Sequence, residues 1–289
     1  MVGFISYNNF KHRYPPDSYA LVTGANSGIG LEYCRYFASQ GIHLIMIARS
    51  LPRLKNAASE ILSTYDVNVV IISADLSDPA AAAQQIISKC ANLPVSIVVN
   101  NAGYLLYGSF GENEIEDEIK SINTLIVSHL KISFYFYKKL ITTKRTGLII
   151  FISSILADIP LPQGYSYSAA KAFTSLFGEG LFHDAKRYGI DVVTVKPGPV
   201  KQTRFLSHAP GIPSSRLFRL VFGLLGSKAS TVVNMSIRSL RFQLGSVYVG
   251  WGSFVVLAME CLLGRRVLGF VAGTLGRAFP RRQNSMDSS

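Results

Sequence analysis

Leu21-Val22-Thr23-Gly24-Ala25-Asn26-Ser27-Gly28-Ile29-Gly30 is the stretch that decides the fold. An apolar strand over 19–23 runs into it, and a helix over 29–40 leaves it at once. Glycines let a backbone approach a pyrophosphate closely, and the first turn of a helix supplies free N–H groups and positive potential. A tight turn without a ligand also uses glycine. The strand-turn-helix setting is what turns this glycine trio into a nucleotide cradle.

The pattern continues outward from the turn. Apolar segments at 43–47, 68–72, 95–99, 147–152 and 191–195 read as strands. Helical stretches lie between them: 51–65, one opened by Asp78-Pro79, a long one over 114–140, and 167–187. Leu51, Leu54, Ala58 and Leu62 are expected on one face of the second helix. Asp78 reads as a cap with Pro79 at the first helical position. Short, wholly apolar strands are those covered on both faces. Repeated β-α alternation implies right-handed crossovers. The expected fold is α/β, a Rossmann-type doubly wound parallel sheet with helices on both faces, plus an apolar-basic C-terminal helical extension. The expected division is a lead-in over 1–18, a nucleotide-binding domain over 19–252, and the extension over 253–289. Past residue 198 the reading is a loop to 215, an apolar-basic segment over 216–225, a helix over 228–244 and a last strand at 247–249.

The 289 residues are 48% hydrophobic and 16% charged, with a mean hydropathy of +0.27. One large core accounts for part of this, and an apolar surface facing a membrane or a greasy ligand accounts for the rest. The formal net charge of +12 is concentrated in the last third. Residues 201–289 hold twelve Lys and Arg against Glu260 and Asp287. Such a region attracts a phosphate-bearing substrate or an anionic membrane. Nucleic acid is not expected, because no zinc-finger or RNA-binding motif is present. Cys34, Cys90 and Cys261 are too far apart to form a metal set or a disulfide framework, so no metal is expected. They fit an intracellular, reducing setting: the cytoplasm, or the cytoplasmic face of a membrane such as the endoplasmic reticulum. The N-terminus does not read as a cleaved signal peptide.

Ile47-Ala48-Arg49-Ser50 ends the second strand. A site for NAD would put an acid here for the ribose hydroxyls. Arg49 instead can fork onto a 2′-phosphate, so NADP(H) is the expected cofactor and NAD(H) the alternative. Tyr167-Ser168-Ala169-Ala170-Lys171 places a phenol and an ammonium four apart, on one side of a helix. Carbonyl reduction needs a proton for the new alkoxide. A neighbouring Lys⁺ should draw the Tyr pKa down from about 10.

The Thr-Gly-x-x-x-Gly-x-Gly spacing from Thr23 to Gly30 and the Tyr-x-x-x-Lys of Tyr167 and Lys171 resemble the short-chain dehydrogenase/reductase family. So does Asn100-Asn101-Ala102-Gly103 after the fourth strand. Within about residues 17–250 the resemblance implies the following. Ser154 orients the substrate carbonyl, with Ser153 the neighbouring hydroxyl. Asn123 holds a water that relays protons to Lys171. Thr23, Gly24, Asn26, Ser27, Gly28, Ile29 and Gly30 cradle the cofactor. Asp75, in Ala74-Asp75-Leu76, contacts the adenine or serves as a turn residue. Asn101, Ala102 and Gly103 line the cleft. Pro197, Gly198 and Val200 form the turn beside the nicotinamide, followed by Thr203, which Gln202 displaces by one place from the family pattern. Ser27 stands where many NADP-binding members carry a base. His183 reads as structural.

Apolar residues cluster in the specificity region: Phe205, Leu206, Leu217, Phe218, Leu220, Val221, Phe222, Leu224 and Leu225. With the Val247-Tyr248-Val249-Gly250-Trp251 ending they look like the branch of hydroxysteroid dehydrogenases and long-chain 3-oxoacyl-CoA reductases. A hydrophobic ketone is the expected substrate, and a nucleotide-binding protein without turnover is the alternative. The tail, with Arg265, Arg266, Arg277, Arg281 and Arg282, is too short in its apolar runs to span a bilayer. It either lies on an anionic membrane or packs on the body or a homodimer partner.

Overall fold

A computed structural model describes residues 13–15, 17–201, 223 and 226–278. Seven strands form one sheet in the order β3-β2-β1-β4-β5-β6-β7, and every neighbouring pair is parallel. The strands are β1 (Tyr19–Thr23), β2 (His43–Ala48), β3 (Val69–Ser73), β4 (Val95–Asn100), β5 (Gly147–Ile152), β6 (Ile190–Pro197) and β7 (Ser246–Val249). The helices between them are α1 (Gly28–Ser39), α2 (Leu51–Thr64), α3 (Pro79–Lys89), α4 (Ile115–Ile122), α5 (Ser128–Thr142), α6 (Tyr165–Ala185), α7 (Ala229–Leu240) and α8 (Trp251–Ala278).

The alternation of strand side chains explains why the strands are apolar throughout. Ala20, Val22, Leu44, Met46, Ile97 and Val99 face α1, α2 and α7. Leu21, Ile45, Ile47 and Val98 face α3 and α5. Both faces are core, so neither register of the period-two pattern can be polar. The order reverses at β1, which pairs with both β2 and β4. At such a switch point, connections leave the C-terminal strand ends in opposite directions and open a crevice.

Asp78 caps α3 as expected: its carboxylate accepts the Ala80 and Ala81 N–H groups. Two expectations need correction. On α2 the inward face is Leu54, Ala57, Ala58 and Ile61, while Leu51 and Leu62 are exposed. Leu54, Ala58 and Ile61 keep the 3.6-residue phase, and Leu51 and Leu62 lie at its edges. The long helix read over 114–140 is not continuous α-helix. A π-helical turn, Asn123–Val127, interrupts it between α4 and α5.

The lead-in is anchored where it is described. The Arg13 guanidinium pairs with the Asp191 carboxylate at the start of β6, and Tyr14 donates to Asp191 Oδ2 at 3.0 Å. The expected apolar lid, from Phe205 to Leu225, and Thr203, Arg281 and Arg282 lie outside the described residues. The extension is helical, with a break at Gly264 (φ 75°) between its two apolar runs.

Candidate active site

The turn after β1 is closed by contacts that exclude side chains. Gly24 and Gly28 have φ of +66° and +57°, a region that glycine enters without strain. A Cβ on Gly24 would sit 2.8 Å from Asn101 Nδ2, and one on Gly30 would sit 2.4 Å from Gly24 O. Thr23 is the hub behind them. Its Oγ1 accepts the N–H groups of Asn101 (2.9 Å) and Ala102 (3.0 Å), while Asn101 Nδ2 donates to Thr23 O at 2.9 Å. The β1 and β4 turns are therefore locked together across the switch point. The Ser27 side chain caps none of the first N–H groups of α1, which leaves them to an anion. These residues fit a dinucleotide's pyrophosphate.

The rim agrees. Arg49 is exposed at the end of β2, with its carbonyl held by Ser73 Oγ at 3.1 Å. Asp75 is exposed, and its Oδ1 accepts the Ser77 N–H at 3.0 Å, so it shapes a turn. Gly103 is closely packed: a Cβ there would sit 2.6 Å from Leu125 Cδ2 and 3.7 Å from Lys171 Nζ. Gly198 N–H donates to Val249 O at 3.0 Å. Val200 bridges to Ser227 and packs on the core with Ile29.

Tyr167 and Lys171 lie one helical turn apart on α6, and Ser154, the residue named by the resemblance, caps the 3-10 turn that follows β5. Ser154 lies near enough to the Tyr167 hydroxyl to favour its ionised form, and its Oγ accepts the Leu156 N–H at 3.1 Å. Ser153 is engaged elsewhere, donating to Lys171 O at 2.7 Å. The Lys171 Nζ donates to Ile152 O at 2.6 Å and lies 5.6 Å from the Tyr167 ring centroid. Both residues are buried. Burial lowers the Lys171 ammonium to about 8. Burial also raises the Tyr167 phenol well above its ordinary value, against a smaller lowering by Ser154. The expectation of a depressed Tyr pKa is thus corrected: in this arrangement desolvation outweighs the lysine, whose ammonium is turned to Ile152 O. Asn123 begins the π-helical turn, and its Nδ2 donates to Ser77 O at 3.1 Å. His183 is exposed on α6.

Around Tyr167 lie Leu105, Leu125 and Ala170, with Tyr107, Ile126, Leu156 and Leu161 packed against them. The wall beside the phenol is apolar.

Sequence reading missed two groups. His129 is buried on α5, its Nε2 3.3 Å from Thr23 Oγ1. Burial, and then the nearby Lys171 charge, push its pKa down to about 3. Thr23 Oγ1, which accepts two N–H bonds, itself donates to Val99 O at 3.2 Å, so His129 backs a hub that is already fully bonded. A lone His in an apolar helix carries no motif that would disclose this. The second group surrounds Lys196, whose only sequence signal is a lysine near the end of a mostly apolar strand.

A family model described as short chain dehydrogenase matches residues 18–210. Human 17-beta-hydroxysteroid dehydrogenase type 3 is 36% identical over 194 residues, 65% of this chain and 62% of that protein. A very-long-chain 3-oxoacyl-CoA reductase of Meyerozyma guilliermondii is 30% identical over 204 residues, 67% of this chain and 58% of that protein. Among solved structures, a 7beta-hydroxysteroid dehydrogenase superposes with a TM-score of 0.80 at 24% identity, covering 92% of this chain and 99% of that one.

Proposed function

The chain belongs to the short-chain dehydrogenase family of oxidoreductases, and on that premise we propose that it interconverts a hydrophobic ketone and its secondary alcohol, with NADP(H) as hydride carrier. The observation that carries this reading is the buried pair of Tyr167 and Lys171 on α6, with Lys171 Nζ 5.6 Å from the Tyr167 ring centroid. The support for a hydrophobic substrate is the apolar wall around Tyr167, in keeping with relatives named for steroids and 3-oxoacyl-CoA.

A bound nicotinamide supplies or takes the hydride. The chain's residues do the rest. The uncapped start of α1, with Gly24, Gly28 and Gly30, would hold the pyrophosphate, and Arg49 the 2′-phosphate. Ser154 Oγ orients the carbonyl. The Tyr167 hydroxyl, protonated at neutral pH like any tyrosine, hands its proton to the alkoxide. Lys171, while charged, stabilises the phenolate that remains. Asn123 holds a water for Lys171; its support is its place at a π-helical turn, a distortion frequent at functional sites.

The test is NADPH consumption by purified full-length protein over steroid ketones, 3-oxoacyl-CoAs and retinoids. Turnover of one class supports the reading. Tight NADPH binding with no reduction of any would favour a nucleotide-binding protein without turnover.

The outer side of α8 supports a second element of this reading, peripheral contact with an anionic membrane. Its inner side packs on the body: Leu268 is buried, and Arg265 Nε donates to Asp158 O at 2.7 Å. Outward, Trp251 (74% exposed), Phe254, Leu262 (82%) and Phe270 form an apolar stripe. Arg266 is exposed between Leu262 and Phe270 in the chain. No helix among the described residues is long and apolar enough to cross a membrane. An amphipathic surface helix binds through buried apolar area plus attraction to anionic headgroups. Flotation with anionic liposomes should be lost as salt rises. Indifference to both neutral and anionic liposomes would assign the stripe to another partner, such as a second copy.

A further inference from the structure

Among the described residues one other lysine is as buried as Lys171: Lys196, near the end of β6. Its Nζ lies 3.2 Å from Glu179 Oε1 on α6 and 3.5 Å from Asp158 Oδ1. It also lies 3.3 Å from the Tyr248 hydroxyl on β7. Burial alone would pull the ammonium down, but Asp158, Tyr248 and Glu179 outweigh it and leave it raised. Lys196 is therefore a fixed positive charge.

Asp158 receives most of what this charge organises. Its Oδ2 accepts the Tyr248 hydroxyl at 2.9 Å, and its carbonyl accepts Arg265 Nε from α8 at 2.7 Å. The residue itself ends a short 3-10 turn, Ile155–Ala157, that starts from Ser154. Within the turn, Asp158 N–H donates to Ile155 O at 3.2 Å and Ala157 N–H to Ser154 O at 3.1 Å. Leu156 N–H donates to Ser154 Oγ at 3.1 Å. A 3-10 turn of this length has strained hydrogen-bond geometry and little stability of its own. What holds it is the anchor at its far end.

We propose that Lys196, acting through Asp158, is a positioning residue of the reduction: with Tyr248 and Arg265 it pins the turn that aims the Ser154 hydroxyl at Tyr167. The inference rests on the catalytic reading of Ser154 and Tyr167. Lys196 touches neither, and no atom of the anchor is at the reacting centre. The network joins the catalytic helix α6 through Glu179 and Lys196, and the substrate-side turn, the sheet edge β6–β7 and the C-terminal helix through Asp158. Loss of one partner of a buried ion pair leaves the other charge uncompensated, so the turn should loosen when either member is removed.

The test uses full-length Lys196→Met, Asp158→Asn and the double variant. Asp158→Asn keeps the side-chain shape and serves if Lys196→Met fails to fold. Two readouts are taken: hydrogen exchange of the amides at 154–158, and kcat with the best ketone from the screen against the Kd for NADPH. Each single variant should speed exchange of the turn and lower kcat by about tenfold or more, with the double less than additive and no worse than Lys196→Met, because both singles remove the Lys196–Asp158 contact. The NADPH Kd should move by less than about twofold, since the cradle after β1 is untouched. Additive losses, unchanged exchange, or a loss in NADPH affinity equal to that in kcat would overturn the proposal. If the wild type reduces no ketone, the catalytic reading falls, and the exchange arm alone still decides whether Lys196 pins the turn.

Discussion

The turn after β1 and the C-terminal helix both bring glycines against a neighbouring chain segment, and they are held by different forces. At the turn, Gly24 and Gly30 face Asn101 Nδ2 and backbone, and Thr23 and Asn101 exchange directional hydrogen bonds across it. On α8, Gly269 would place a Cβ 3.5 Å from Pro160 Cβ, and Gly273 one 3.0 Å from Pro162 Cγ. Proline offers no N–H to donate across that contact, which meets the Pro160 carbonyl and the two rings, and the Arg265–Asp158 bond is the directional tie beside it. Directional bonds hold a geometry that chemistry needs, whereas dispersion contacts tolerate sliding. The difference teaches where this molecule is rigid by construction and where it is free to adapt.

The largest expected effect lies on the rigid side. Tyr167→Phe should lower kcat by about 10²–10⁴-fold, the usual contribution of a positioned acid or base, and leave NADPH affinity nearly unchanged. Steady-state kinetics beside a fluorescence titration of NADPH would show both, and near wild-type turnover would end the assignment.

Paired alanine scanning sets the two glycine contacts against each other directly. Gly30→Ala drives a methyl into a backbone oxygen 2.4 Å away, which should cost roughly 1–3 kcal/mol of stability and weaken NADPH binding. Gly269→Ala meets Pro160 O at 3.4 Å, and helix propensity favours Ala by about 1 kcal/mol. Its melting temperature should hold or rise. Equal losses in calorimetry would erase the distinction.

Arg49→Ala sharpens the reading of the cofactor rim. It should weaken NADPH binding by about 1.5–3 kcal/mol and leave NADH nearly unaffected. An equal effect on both cofactors, or a wild-type preference for NADH, would contradict it.

The smallest effect is a pH dependence at the hub. The unfolded His129 imidazole takes a proton near 6.5, while the folded one resists until about 3. Between those values the unfolded state binds more protons, so stability is lost as pH falls. At about 1.4 kcal/mol per unit, the loss should approach roughly 2 kcal/mol by pH 5. Urea titrations at pH 7 and 5 should show this difference shrinking in His129→Gln.

Much of this was legible along the chain because its partners are local. Tyr167 and Lys171 are one helical turn apart, the glycine turn is contiguous, and Asp78 caps the residues that follow it. The second-helix face was misjudged because a hydrophobic side chain at the edge of the stripe looks the same in sequence as one at its centre. The break in the long helix left no trace, since Asn123–Val127 contains neither proline nor glycine to announce it. His129 and Thr23 are 106 residues apart, and Asp158 finds Lys196, Tyr248 and Arg265 at separations of 38, 90 and 107.

By itself, then, the sequence determined a parallel α/β sheet, a cofactor turn and a Tyr/Lys pair. Each depends on periodicity or spacing within a few residues, where backbone geometry leaves little choice. The tertiary structure alone decided how high the Tyr167 phenol is pushed, which charges surround Lys196, and which side of α8 the body covers. Those are matters of desolvation and of contacts between distant segments, and only a folded chain sets them.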